Sequence, residues 1–113
     1  MDILFDEASH NPKRMSLSGR MDTKGTGLIE LRFTGLTATD SDNVMVDMSQ
    51  VDFIASLGMR LLLSCAKAKS ARGGRMVMFG LQPMVLEALE TAGIGSLIPL
   101  CADEQSALAS LAG

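Results

Sequence analysis

The first third of the chain changes its hydrophobic period once, from that of extended strands to that of a helix. Residues 14–18 alternate polar and apolar side chains, and residues 3–8 form a second short extended segment. The sequence His10-Asn11-Pro12 lies between them and consists of turn-forming residues, so we predict a β-hairpin. Within residues 26–36, Ile29, Phe33 and Leu36 return at helical spacing, which predicts a helix after the hairpin.

The remaining two thirds of the chain alternate short apolar segments with longer amphipathic ones. Residues 44–48 and 76–79 are mostly or wholly apolar, which is typical of strands buried on both faces of a sheet. Residues 97–100 include Pro99 and predict a short edge strand. Three helices are predicted in the same part of the chain, at residues 56–71, 83–93 and 103–111.

The predicted order of elements is ββαβαβαβα, which places the protein in the α/β class. Helices between strands indicate β-α-β crossovers and parallel neighbours, with at least two right-handed crossovers. A length of 113 residues fits a single domain, here residues 1–113. We therefore predict one domain with a mixed four- to five-stranded sheet, parallel β-α-β crossovers and about four helices.

Composition and charge exclude several classes of function. The net charge is −3 and the ten Lys and Arg residues are scattered, whereas binding to nucleic acid depends on clustered cations. No apolar stretch approaches the roughly 18 residues of a membrane span. We therefore expect neither nucleic-acid binding nor membrane insertion. Cys65 and Cys101 lie in apolar segments without metal-ligand spacing, and predict reduced, buried thiols in a cytoplasmic protein.

The sequence offers no residue set for catalysis, for a metal ion or for a cofactor. His10 is the only histidine and lies in the predicted turn. Residues 19–26 lack the residue order of a phosphate-binding loop, and the segment that starts at Asp40 lacks the ligand spacing of a calcium loop. Ser56 has neither the Gly-x-Ser-x-Gly setting nor the histidine of a hydrolase nucleophile. We therefore predict a protein that is not an enzyme.

The carboxyl ends of the strands are where open α/β sheets collect functional residues. This rule selects residues 49–57 and 80–82 as candidate loops. Ser56 begins the helix after the first loop, and helical spacing places Arg60, Ser64, Lys67 and Ala71 on the same polar or small-residue face. Two interpretations of Ser56 follow. Its hydroxyl either caps the helix or carries a phosphate, which the helix N-terminus and Arg60 would both favour.

Residues 46–63, VDMSQVDFIASLGMRLLL, resemble the signature of STAS domains, the family of anti-sigma factor antagonists. In that signature a strand ends in Asp, a short loop contains Val and Phe, and Ser-x-Gly opens a Leu-rich helix. Three further segments are similar to the family in the right order: LSGRMD at 17–22, GGRMVM at 73–78 and VLEALETAGI at 85–94. The resemblance covers nearly the whole chain.

This resemblance implies a cytoplasmic partner-switching protein. Stand-alone members bind an anti-sigma factor that is also a serine kinase of the histidine-kinase-like ATPase fold, and so release the sigma factor. The kinase phosphorylates a serine that aligns with Ser56, and a phosphatase reverses this. Many members have Asp before that serine and Ser or Thr after it, where this chain has Ala55 and Leu57. The residues that we expect to bind the partner are Asp22, Ala55, Ser56, Leu57, Gly58, Met59, Arg60 and Leu63.

Two other functions stay open at this point. Small STAS proteins also occur as accessory subunits of lipid-transport ATP-binding cassette complexes. Such a subunit would use the same helix face, around Met59, Arg60 and Leu63, without phosphorylation. A binder of small ligands would instead use the loops at the strand ends, and nucleotides are the first ligands to test.

Overall fold

The computed structural model describes residues 1–112, which form one five-stranded sheet with four α-helices and one short 3-10 turn. The strands follow one another in the sheet in chain order, with the first pair antiparallel and the others parallel. The predicted fold class is therefore confirmed. The elements are β1 (Asp2–Phe5), β2 (Lys13–Met21), α1 (Thr23–Thr37), β3 (Val44–Ile54), α2 (Ser56–Ala71), β4 (Met76–Phe79), α3 (Pro83–Thr91), the 3-10 turn (Ile94–Ser96), β5 (Leu100–Cys101) and α4 (Glu104–Ala112).

The two faces of the sheet are covered unequally. Helices α1, α2 and α3 pack on one face and enclose the main hydrophobic core, to which Phe33, Leu62 and Leu89 contribute. On the other face α4 packs alone, with Ala107 against Phe79 and its neighbours. All four residues of β4 are buried, as its wholly apolar sequence predicts.

Several element boundaries differ from the sequence-based predictions. Helix α1 begins at Thr23 and not at residue 26, because the Asp22 side chain caps it. The edge strand β5 is Leu100–Cys101 and not residues 97–100, since the chain first makes the 3-10 turn. Strand β1 ends at Phe5 and not at residue 8. The hairpin of β1 and β2 is confirmed.

The largest correction concerns the loop predicted at residues 49–57. Strand β3 continues through most of it, to Ile54, and pairs there with the end of β2, from Ser18 to Met21. The pairing contains two register shifts, so the strict alternation of buried and exposed positions that identifies a strand is broken there. The extension places Ser56 immediately beyond the end of a central strand.

Both cysteines are free thiols, but they differ in burial. Cys65 is buried in the main core, whereas Cys101 on the edge strand is only half-buried. Partial burial raises the pKa of the Cys101 thiol, with a smaller contribution from the charge of Asp103. Across residues 1–112 no helix is long and apolar enough to cross a membrane.

Candidate functional site

The start of α2 presents Ser56 on the surface at the carboxyl end of β3. The backbone N–H of Ala55 donates to the Met21 carbonyl at 3.0 Å, which holds the junction between strand and helix against β2. Ala55 is the N-cap residue, and no side chain caps this helix. Ser56 is the first helical residue and is exposed. The interpretation of Ser56 as a helix cap is therefore wrong, because the cap position belongs to the residue before it.

The exposed face of α2 matches the face predicted from helical spacing. Ser56, Arg60, Ser64 and Lys67 are all exposed along it. The first turn contains no acidic residue and no side-chain cap, so no negative charge offsets the positive end of the helix dipole beside Ser56. A negative charge on Ser56 would therefore be favoured in the free protein.

Gly58 is buried in the first turn of α2, and its lack of a side chain determines how closely this turn packs on the strands. A Cβ atom built on Gly58 would lie 2.7 Å from Met21 Cγ and 3.2 Å from Ile54 Cγ1. Such distances are shorter than ordinary contacts between carbon atoms. The missing side chain lets the first turn of α2 approach the ends of β2 and β3 closely.

The apolar residues expected at the partner surface are half-buried. Met59 and Leu63 pack partly against the main core and expose the rest of their surface. Leu57 and Arg60 line a groove of about 210 Å³ between α1 and α2, with Cys65 and Thr34 in its lining. The surface beside Ser56 therefore combines apolar area with one cation.

Asp22 lies between the end of β2 and the start of α1 and has a structural role. Its Oδ1 accepts a hydrogen bond from the Gly25 N–H at 2.7 Å, which caps α1. This bond lowers the pKa of Asp22, with a smaller contribution from the nearby charge of Arg20. Its Oδ2 lies 3.6 Å from Arg20 Nε.

Sequence reasoning missed Arg20 and Phe53, which the structure brings together beside these residues. They are paired across β2 and β3, and the Arg20 guanidinium lies 4.2 Å from the centroid of the Phe53 ring. The sequence does contain a signal, since Arg20 continues the outward polar series of Arg14, Ser16 and Ser18. The series was not extended past residue 18 because β2 was predicted to end there.

The second candidate loop, residues 80–82, is fixed to β3 by its own contacts. The Gln82 side-chain amide donates to the Ser49 carbonyl at 2.9 Å. The Ser49 N–H donates to Asp47 Oδ1 at 2.9 Å, and Gly80 adopts a left-handed conformation (φ 71°) beside both residues. These polar groups are used within the fold, unlike the Ser56 hydroxyl.

Comparison with known proteins agrees with this fold. The family model described as "STAS domain" matches residues 7–107. Among curated proteins, the chain is 27% identical over 94 residues to a Bordetella bronchiseptica protein named "Putative anti-sigma factor antagonist BtrV", with 83% of this chain and 81% of the relative covered.

Solved structures of similar fold carry related names. An anti-sigma-factor antagonist (STAS) domain protein from Planctomyces limnophilus superposes with a TM-score of 0.83 at 21% identity, over 100% of both chains. SpoIIAA of Bacillus is similar in its unphosphorylated form (TM-score 0.75, 18% identity, 95% of this chain and 93% of that one). It is also similar in its phosphorylated form (TM-score 0.66, 18% identity, 96% and 98%). Because the family model spans most of the chain, the protein belongs to the STAS domain family.

Proposed function

We propose that this protein is an anti-sigma factor antagonist that binds a serine-kinase anti-sigma factor and is released when Ser56 is phosphorylated. The observation that carries the proposal is the state of Ser56. It is exposed at the first position of α2, and its hydroxyl forms no hydrogen bond within residues 1–112. A kinase can reach such a hydroxyl without unfolding the chain, and the fold loses no hydrogen bond when the hydroxyl is modified.

The proposed partner surface surrounds Ser56. Leu57, Met59 and Leu63 offer half-buried apolar area, and Ala55 borders them with a small side chain. Protein interfaces combine a poorly charged centre with a polar rim. Ser56 is neutral until it is modified, so it fits the centre of such a contact.

Phosphorylation of Ser56 has opposite effects on the free protein and on its complex with the partner, because it stabilises the first and weakens the second. A phosphate adds about −1.5 to −2 charges at neutral pH. In the free chain the unpaired N–H groups of the α2 N-terminus and Arg60 stabilise this charge. In a complex the same phosphate is pressed against the partner and loses water. A cost of about 3 kcal/mol there weakens binding by roughly 100-fold.

The names of similar proteins support this proposal. BtrV is named as an anti-sigma factor antagonist, and SpoIIAA is described both in an unphosphorylated and in a phosphorylated form. The departure from the common family sequence at Ala55 and Leu57 leaves the serine, the glycine and the helix in place. We infer that a kinase with matching specificity recognises Ser56 in this setting.

The first experiment identifies the partner and maps the modification. The tagged chain is used to capture proteins from its native host, and the captured ATPase is purified and incubated with the chain and ATP. We expect one phosphate, located on Ser56 by mass spectrometry. It should be lost in Ser56→Ala and retained in the control Ser64→Ala, whose serine is exposed on the same helix face. No transfer, or transfer elsewhere, would contradict the switch.

The same experiment tests the two other functions. A lipid-transport ATPase that depends on this chain for its activity, with no kinase recovered, would indicate an accessory subunit. A rise in melting temperature on addition of a nucleotide to the isolated chain would indicate a small-ligand binder instead.

A further inference from the structure

We propose that Arg20, held on the Phe53 ring and oriented by Asp22, binds a carboxylate of the anti-sigma factor and so contributes to the choice of partner. This inference rests on the proposed function and assigns one chemical contact within that interface.

The first support is the stacking of Arg20 on Phe53. The two residues are opposite each other in the parallel pairing of β2 and β3, with 4.2 Å between the guanidinium carbon and the ring centroid. The Arg20 side chain is 58% exposed and Phe53 is 37% exposed. A guanidinium stacked in this way is oriented before a partner arrives, which reduces the entropy that binding must otherwise cost.

Asp22 orients the same guanidinium from one side only. Its Oδ1 is used in capping α1, and its Oδ2 lies 3.6 Å from Arg20 Nε. Arg20 forms no other ion pair within residues 1–112. Its two terminal amino groups, which form the fork that fits a carboxylate, therefore have no carboxylate partner within residues 1–112.

Arg14 lies on the same strand and the same sheet face as Arg20, and its guanidinium contacts both a phenylalanine and a carboxylate. Its guanidinium lies 5.7 Å from the centroid of the Phe79 ring. It also donates to Glu104 Oε1 through Nε at 3.0 Å and through the terminal nitrogen at 2.9 Å. The hydrogen bonds that Arg14 donates to Glu104 raise the pKa of Arg14. Both arginines thus lie on a phenylalanine, but only Arg14 is hydrogen-bonded to a carboxylate within residues 1–112, through Nε and one terminal nitrogen to the same oxygen of Glu104. We infer that the partner supplies the missing carboxylate at Arg20.

The position of Arg20 makes it a neighbour of the proposed interface. Met21 follows it, and the Met21 carbonyl accepts the Ala55 N–H directly before Ser56. Arg20 and Phe53 nevertheless lie on the sheet face on which α4 packs, whereas α2 packs on the opposite face. This arrangement favours a carboxylate of the partner over a phosphate on Ser56 as the group that Arg20 binds.

The test compares charge reversals at two ends of the molecule. Affinities for the purified anti-sigma factor are measured for the wild type, Arg20→Glu and the control Arg75→Glu, an exposed arginine just before β4 at the other end of the sheet. Loss of a charge-assisted pair and introduction of repulsion predict at least about tenfold weaker binding for Arg20→Glu. Arg75→Glu should stay within about twofold. Phe53→Leu should lie between them, because the charge remains but its support is lost.

The outcomes separate this inference from the proposed function. Arg20→Gln is measured beside Arg20→Glu, so that a folding defect of one variant does not decide the result. A charge swap identifies the contact directly. One acidic residue of the partner is changed to Arg, and its binding to Arg20→Glu should recover if the two residues form the pair. If the wild type binds the partner and Arg20→Glu and Arg75→Glu have equal affinities, the inference is overturned and the proposed function stays intact. If Arg20→Gln changed the affinity only of the phosphorylated chain, the inference would also be overturned, because Arg20 would then bind the phosphate on Ser56. Absence of wild-type binding would overturn both.

Discussion

Two buried threonines of α1 differ in whether their hydroxyl groups have a partner. Thr37 Oγ1 donates to the Phe33 carbonyl at 2.7 Å, whereas Thr26 Oγ1 has no hydrogen-bond partner within residues 1–112. Both side chains are fully buried. A buried hydroxyl without a partner loses its hydration and gains nothing in return.

Replacement of each threonine by valine tests this difference, because valine keeps the branched shape. We expect Thr26→Val to raise the free energy of unfolding by about 1 kcal/mol and Thr37→Val to lower it by a similar amount. Urea denaturation of both variants measures the change. Equal shifts in the same direction would show that the two hydroxyl groups have the same environment.

Lys69 is a charged residue on the buried face of a helix. Its side chain is 0% exposed, and its Nζ donates to the carbonyl oxygen of Asp40 at 2.7 Å and to Asp40 Oδ1 at 2.8 Å. Lys13 also pairs with Asp40. The sequence contains a signal for this contact, since Leu62, Cys65 and Lys69 share one helix face and a lysine among apolar residues requires an acceptor. The identity of the acceptor could not be deduced, because Asp40 is 29 residues away.

Removal of the Asp40 carboxylate should destabilise the fold and remove part of its acid sensitivity. Asp40→Asn leaves Lys69 without its counter-ion and should lower the free energy of unfolding by roughly 2 kcal/mol at pH 7. This is less than for a fully buried pair, because Asp40 itself is 40% exposed and water screens part of the interaction. Adding Lys69→Met to Asp40→Asn should restore part of the loss.

The pH dependence of this loss follows from the pKa of Asp40. Hydrogen bonds from Lys13 and Lys69 lower the pKa of Asp40 well below its ordinary value. A lowered pKa in the folded state gives stability that is present above the ordinary value of about 4 and is lost as the pH falls further. The difference between wild type and Asp40→Asn should therefore be constant near neutrality and shrink below about pH 4. A difference independent of pH would contradict this assignment.

At the scale of elements, alanine substitutions are expected to have opposite effects at Gly27 and Gly35 of α1 and at Gly58 of α2. In a helix interior, alanine is favoured over glycine by up to about 1 kcal/mol. Gly27 and Gly35 have no heavy atom within 4 Å of a built Cβ, so Gly27→Ala and Gly35→Ala should each stabilise the protein. Gly58→Ala should instead lower the free energy of unfolding by about 1–2 kcal/mol, because its Cβ meets Met21 and Ile54.

Thermal unfolding of these three variants shows whether α2 approaches the strands as closely as described. A stabilising Gly58→Ala would mean that the first turn of α2 has free space beneath it. The arrangement of Ala55 and Ser56 at the strand end would then need revision.

Elements with one uninterrupted period could be predicted from the sequence, and those with a broken period could not. Helix α2 was placed at its observed bounds, and its exposed line from Ser56 to Lys67 is confirmed. The end of β3 was missed because its buried positions Met48, Val51 and Ile54 no longer alternate. In β2 the outward series continues to Arg20, so its end at Met21 could have been found. Phe53 lies in the missed end of β3, and this concealed its stacking with Arg20.

At the scale of the whole molecule, the fold places two kinds of groups at one end of the sheet. Ser56 and its apolar neighbours lie on the α2 side, and the stack of Arg20 on Phe53 lies on the α4 side. The parallel direction of β2 to β5 could be predicted, because a helix separates each strand from the next, whereas their order in the sheet was not predicted. The end of β2 contacts the start of α2 through the hydrogen bond from the Ala55 N–H to the Met21 carbonyl. Local sequence gives no signal for this contact.

The central claim is that charge at Ser56 controls binding to the anti-sigma factor. Its most direct test is the affinity of the purified anti-sigma factor for Ser56→Ala and Ser56→Asp, measured by calorimetry at physiological salt. The account predicts wild-type affinity for Ser56→Ala and at least about tenfold weaker binding for Ser56→Asp. The melting temperature of free Ser56→Ala should be unchanged, and that of free Ser56→Asp should be equal or slightly higher, because the α2 N-terminus favours a negative charge. Equal affinities for the two variants would contradict it.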